Sequence, residues 1–266
     1  AHYSCYLCMQ RTLKVFVKHL TTMNQENATR AMWRAADAVC FDVDSTVCRD
    51  EAIDELAKFV GRDKEVSELT KVAMRGGCTF QDALAQRLRL IKPTVDVMKE
   101  YLRSHPPRLT PGIRELVQLL KERGVSVYLV SGGFDTLIEP VAKELGISTK
   151  NIFANSIKFY FDGSYAGFDE TRPTSQQDGK ARVVAYLKQQ FGFRRVIMVG
   201  DGATDLEAYP PAVIAHLSLF FIFILTSNFQ DAFIGFGGNQ IRPKVQQASP
   251  WFVLSFYDLI EELNRN

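Results

Sequence analysis

Along the chain, short unbroken apolar runs alternate with longer stretches whose apolar residues recur every three or four positions. "ADAVCFDV" (36–43), "VSVYLVSGG" (125–133), "RRVIMVGDG" (194–202), "AFIGFGG" (232–238) and "WFVLSF" (251–256) are of the first kind. Runs without alternation predict strands buried on both faces, as in a parallel sheet. Helical spacing marks "EAIDELAKFVG", "KEVSELTKVAMRG", "TFQDALAQRLRLI" and "TVDVMKEYLRS", four helices in succession between residues 51 and 105. In "LTPGIRELVQLLKERG" Thr110 is the expected N-cap, Pro111 the first helical residue and Gly124 the stop. The helix after "VSVYLVSGG" is expected to be interrupted at Pro140. "IKFYFDGSYAGF" predicts a hairpin around Asp162-Gly163, and "GKARVVAYLKQQFG" a further helix.

Strands alternating with helices predict an α/β fold, a Rossmann-like parallel sheet with helices on both faces. The expected division is an α/β core over 31–50 and 106–266, a helical unit over 51–105, and an extension over 1–30. Two segments look foreign to this plan. Residues 1–22 are basic and free of acids, and the expectation is an upstream extension rather than a targeting peptide. "VIAHLSLFFIFIL" (213–225) spans about 20 Å as a helix, short of the roughly 30 Å of a bilayer core, so no membrane role is expected.

Composition narrows the class. A hydrophobic share of 46% and a charged share of 23% are those of a soluble globular protein. A net charge of +2 without a basic stripe argues against nucleic acid as a partner. Five cysteines form no disulfide framework at this length and suggest reduced thiols in the cytoplasm; "CYLC" (5–8) is read as coincidental.

Three strands end in residues that carry chemistry: Asp42-x-Asp44, Ser131-Gly132-Gly133, and Gly200-Asp201-Gly202-x-x-Asp205. Ligands of open α/β sheets bind beyond such carboxyl ends. Residues two apart in an extended chain point the same way, so Asp42 and Asp44 are expected to share a pocket. Converging carboxylates call for a cation, and hard oxygen donors with room for water and a phosphate oxygen suit Mg²⁺. Ser131 and the Gly-rich turn are suited to phosphate oxygens, and Lys180 can add a positive charge. A calcium-binding EF-hand loop starting at Asp42 fails at Val47 and Ile53, and neither a P-loop nor a G-x-S-x-G motif occurs.

"FDVDSTVC", "VSGGF", "GK" and "GDGATD" together resemble the four motifs of the haloacid dehalogenase superfamily. "IDELAK", "PPRLTPGIRELV", "IFAN", "YAGFDE" and "FIGFGGNQIR" extend the likeness to its phosphoserine phosphatase family, over about 31–212 and 231–263. That resemblance implies a Mg²⁺-dependent hydrolysis of O-phosphoserine, the last step of serine synthesis, in a cytoplasmic homodimer. It implies Asp42 as nucleophile, forming an aspartyl-phosphate, and Asp44 as general acid and then base. It places Mg²⁺ on Asp42, Asp201 and the backbone carbonyl of Asp44, with Asp205 orienting the metal's outer ligands. It implies phosphate binding by Ser131, Gly132, Gly133, Lys180 and Thr204. The helical unit becomes a cap in which Glu51, Met74 and Arg87 meet the substrate, with Arg242 near the serine moiety.

The chain departs from the family in two places. Arg75 stands where relatives carry glycine, and residues 213–230 form an atypical apolar insert. Alternatives are therefore an inactive or splice-variant-like homologue impaired by the insert, and a phosphatase for another small phosphomonoester.

Overall fold

The computed structural model describes residues 23–74, 79–208 and 230–265. The expectations for 1–22, for "CYLC", for Arg75 and for 213–229 of the 213–230 insert lie outside those residues; Gln230, expected to end the insert, instead opens the strand Gln230–Phe236.

Strand β1 (Ala38–Phe41) is wholly buried, as an apolar run without alternation requires. It lies at the centre of a six-stranded sheet with β2 (Ser126–Phe134), β3 (Ile152–Asn155), β6 (Arg195–Gly200), β7 (Gln230–Phe236) and β8 (Trp251–Val253), in the order β3-β2-β1-β6-β7-β8. Every neighbouring pair is parallel. The chain runs outward from β1 through β2 to β3, then crosses back to β6 on the other side of β1. This reversal opens a crevice at the carboxyl ends of β1 and β6.

Alternation along β1 feeds two cores. Val39 and Phe41 pack with the buried faces of α1 (23–34), α6 (Ile113–Glu122), α7 (Asp135–Glu144) and α11 (Phe256–Leu263). Ala38 and Cys40 point the other way, toward α8 (Gly179–Phe191) and α10 (Pro243–Ala248). A separate apolar cluster joins α2 (Ala52–Phe59), α3 (Asp63–Met74), α4 (Phe80–Ile91) and α5 (Val95–Ser104). That cluster also takes in Phe134, Leu137, and Ile157 and Phe168 of the hairpin β4–β5 (Ile157–Phe159, Tyr165–Phe168). The helical unit is thus built on the hairpin and on the end of β2.

Local details differ from the sequence expectation in four places. Thr110 does not cap α6; Gly112 occupies the N-cap at φ +85°, where an added Cβ would meet Phe256 Cβ at 3.2 Å. Pro140 does not interrupt α7, because its ring forfeits one helical hydrogen bond while Leu137, Ile138, Val141 and Ala142 are buried on either side of it. β2 runs on through Ser131-Gly132-Gly133 to Phe134, with a register shift against β3 after Val130. Helix α1 begins at residue 23, earlier than the expected start of the core. Its Trp33 is fully buried and donates to the Leu259 carbonyl at 3.0 Å. Among the described residues no helix is long and apolar enough to cross a membrane.

Candidate active site

Asp42 follows β1 directly, and its backbone N–H donates to the Val199 carbonyl of β6, which places it at the reversal of strand order. One carboxylate oxygen accepts from the Val43 N–H at 2.8 Å and meets Lys180 Nζ at 2.7 Å. The chain then forms a tight irregular turn, Val43–Val47, with Ser45 in the left-handed region at φ +54°. Within it Asp44 stays extended, and its carboxylate accepts from the N–H of Ala52, the first residue of α2. The turn therefore ties β1 to the helical unit.

From the other side of the reversal, β6 delivers Asp201 and the short helix α9 (Ala203–Leu206) delivers Asp205. Both are buried. Asp205 accepts from the Gly202 N–H at 2.8 Å and from Lys180 Nζ at 2.5 Å. Gly200 has to be glycine, because a Cβ there would lie 2.3 Å from the Asp205 carboxyl. Asp201 accepts from Arg242 Nε at 2.7 Å and from the Thr46 hydroxyl at 3.3 Å. Arg242 also reaches Glu51 at 3.0 Å, and Glu51 accepts from Ser45 Oγ at 2.8 Å.

One carboxylate oxygen each from Asp42, Asp201 and Asp205 falls within 4.8 Å of the others. Burial, reinforced by Asp42, pushes the carboxyls of Asp201 and Asp205 above the ordinary carboxylate range. Burial likewise raises Asp44, with the charges of Glu51 and Asp42 adding to it. Lys180 alone would be depressed by burial, but Asp205 and Asp42 outweigh that and hold it charged. Lys180, together with a guanidinium shared with Glu51, does not neutralise the three carboxylates. The residues therefore fit a divalent cation that prefers oxygen ligands.

Opposite them lies the glycine-bearing end of β2. Ser131 is fully buried and accepts from the Gly133 N–H. A Cβ on Gly133 would lie 3.0 Å from Asp44 Oδ2, and one on Gly132 would lie 2.8 Å from the ring of Phe80. The expected set Asp42, Asp44, Glu51, Ser131, Gly132, Gly133, Lys180, Asp201, Asp205 and Arg242 is thus brought together. Thr204 is exposed on α9, immediately before Asp205. Arg87 on α4 donates to the Ala83 carbonyl of its own helix, and its charge opposes the upward shift that burial gives Asp54. Met74 ends α3, and its side chain lies outside the described residues.

The model of the haloacid dehalogenase-like hydrolases matches residues 36–210. The chain is 52% identical over 241 residues to a phosphoserine phosphatase of Rattus norvegicus, covering 91% of this chain and 99% of the relative. The chain belongs to the phosphoserine phosphatase family. Among solved structures, a phosphoserine phosphohydrolase-like protein of Francisella tularensis shares 28% identity at a TM-score of 0.66, over 85% of this chain and 98% of its own. DsGPDH of Dunaliella salina shares 36% identity at a TM-score of 0.72; this chain matches 37% of that longer protein.

Placed in this family, the site shows residues that the sequence reading passed over. Asn155 donates to the Gly132 carbonyl at 2.8 Å and accepts from the Thr174 hydroxyl at 2.8 Å, so a buried relay steadies the glycine-bearing end of β2. Phe80 roofs that end of the strand. Asn239 gathers carbonyls of the Asp44 turn. A lone amide in a polar loop gives no local signal, although "IFAN" and "GFGGNQIR" already stood among the matched segments.

Proposed function

We propose that this chain hydrolyses O-phosphoserine to serine and phosphate, with Asp42 as the covalent nucleophile. The observation that carries the reading is the meeting of Asp42, Asp44, Ser131, Lys180, Asp201 and Asp205 at the reversal of strand order. Asp42 attacks phosphorus, forming the aspartyl-phosphate as the bond from phosphorus to the serine oxygen breaks. Asp44, whose carboxyl is raised by burial and by its anionic neighbours, donates its proton to that oxygen. It then takes a proton from the water that releases phosphate, and Asp42 is regenerated. Lys180, Ser131 and the N–H groups of Gly132 and Gly133, with Thr204 beside them, receive the phosphoryl oxygens.

Mg²⁺ would be held by Asp42, Asp201 and the Asp44 carbonyl, with Asp205 orienting its outer ligands. When bound, the ion lets an anionic nucleophile approach an anionic ester. Residues 51–105 act as the cap over an α/β core of 31–50 and 106–266. From the cap, Glu51 meets the substrate ammonium, Arg87 its carboxylate, and Met74 covers the ester, with Arg242 near the serine moiety. A homodimer closing serine synthesis in the cytoplasm completes the reading; the thiols of buried Cys40 and half-buried Cys48, both free, suit a reducing compartment.

The test is phosphate release from phosphoserine with Mg²⁺, after chelation, and with Mg²⁺ restored. Turnover should vanish on chelation and return with the metal. Equal rates on phosphomonoesters lacking the ammonium and carboxylate would overturn the assignments of Glu51 and Arg87.

A further inference from the structure

The turn that carries Asp44 has two faces. Its inner face holds the chemistry: Asp44 itself, the Ser45 hydroxyl on Glu51 and the Thr46 hydroxyl on Asp201. Its outer face presents the carbonyls of Ser45, Thr46 and Cys48, and all three lie within 3.1–3.3 Å of one atom, Nδ2 of Asn239. The same nitrogen donates to Thr110 Oγ1 at 2.7 Å, and that hydroxyl donates to the Thr46 carbonyl at 2.7 Å. Asn239 follows β7 and Thr110 precedes α6, so two rigid parts of the core grip the turn from outside. Ser45 is held in a left-handed conformation that a serine adopts at a cost, and such strain persists only where the surroundings over-determine it.

We propose that Asn239, acting with Thr110, is a positioning residue for catalysis: it turns the outer carbonyls away so that the inner face aims Asp44 at the leaving oxygen. This rests on the phosphatase reading above. A cavity of about 490 Å³, lined by Arg49, Arg108, Thr110 and Asn239 among others, borders the grip on the outer side. Water from there can satisfy the carbonyls when the amide is removed, but it cannot orient them.

The test compares Asn239→Ala, Thr110→Val, Thr110→Ser and the double variant Asn239→Ala/Thr110→Val with the parent. The substrate is whichever phosphomonoester the parent hydrolyses, and folded fractions come from thermal unfolding. Failure of the parent to hydrolyse phosphoserine strikes the functional reading, whereas the positioning role is read only from ratios to the parent. Asn239→Ala should lower kcat by roughly 10- to 100-fold, with KM within about threefold. Thr110→Val should fall in the same direction, Thr110→Ser should retain most of the rate, and the double variant should fall little further than the weaker single. A kcat for Asn239→Ala within about twofold of the parent would overturn the proposal. So would a loss that disappears once rates are corrected for the folded fraction, or one carried by KM alone.

Discussion

Asp42 bears on stability as well as on turnover. It lies among Asp44, Asp201 and Asp205 and shares Lys180 with Asp205. Asp42→Asn keeps the size of the side chain and removes one of the repelling charges, so phosphate release should stop while the metal-free protein unfolds at the same or a higher temperature. Residual turnover above about 1% of the parent would contradict the covalent role. The raised carboxyls of Asp201, Asp205 and Glu51 also set a pH dependence. A carboxyl whose folded pKa lies above its unfolded one contributes stability that is complete below the unfolded value and is lost as pH rises through the folded value. The metal-free cluster should therefore weaken the fold as pH climbs above the ordinary carboxylate range of 3.8 for Asp and 4.5 for Glu. A divalent cation reverses this by favouring the charged forms. The rise in thermal midpoint on adding Mg²⁺ should grow between about pH 5 and pH 8. A rise independent of pH would place the cation away from these carboxylates.

Among the secondary-structure elements, α1 makes the contact least expected from its position in the chain. Arg30 lies over the ring of Trp251 at 4.3 Å from its centre and pairs with Glu262 of α11 at 2.7 Å. Arg34 and Arg265 also pair with that nearly inaccessible carboxylate. With Trp33 buried against Leu259, the helix closes one side of the sheet core. Trp33→Ala should lower the unfolding free energy by about 3–5 kcal/mol in urea titration. The Trp33 side chain hydrogen-bonds Leu259 of α11 and none of the crevice residues, so kcat and KM of the folded fraction should be unchanged. A variant equally stable would mean that α1 is not held by this core. Five of the six sheet strands and the four helices of 51–105 were legible in the sequence because burial on both faces and three- to four-residue spacing are written locally; β3, only four residues long, was not. Caps were less so: Thr110 has the right chemistry for an N-cap, but close packing on Phe256 makes Gly112 the residue that fits.

For the molecule as a whole, strand-end acids and the Gly-rich turn could be read from their place after apolar runs, and the fold brings them together. Their supports could not. Asn239 acts on Ser45 across 194 residues, and Trp33 on Leu259 across 226, distances over which local pattern carries no information. The same long-range pairing bears on the atypical segment 213–229. β7 keeps register with β6 along its length, from Arg195 opposite Gln230 to Gly200 opposite Gly235. At its start Asp231 pairs with Lys188 of α8 at 2.6 Å and accepts from the Val196 N–H at 3.4 Å. These contacts set where β7 begins whatever chain precedes it. A parallel connection needs about a dozen residues, and 201–212 supply that number with α9 already in place. Deleting 213–229 should therefore leave far-ultraviolet circular dichroism and cooperative unfolding in place, and lower aggregation by removing an uncharged, β-prone run. Phosphate release per folded molecule should match or exceed that of the parent. An unfolded product would show that the register of β7 depends on the segment before it, and that the pairing of Asp231 with Lys188 is too weak to set it.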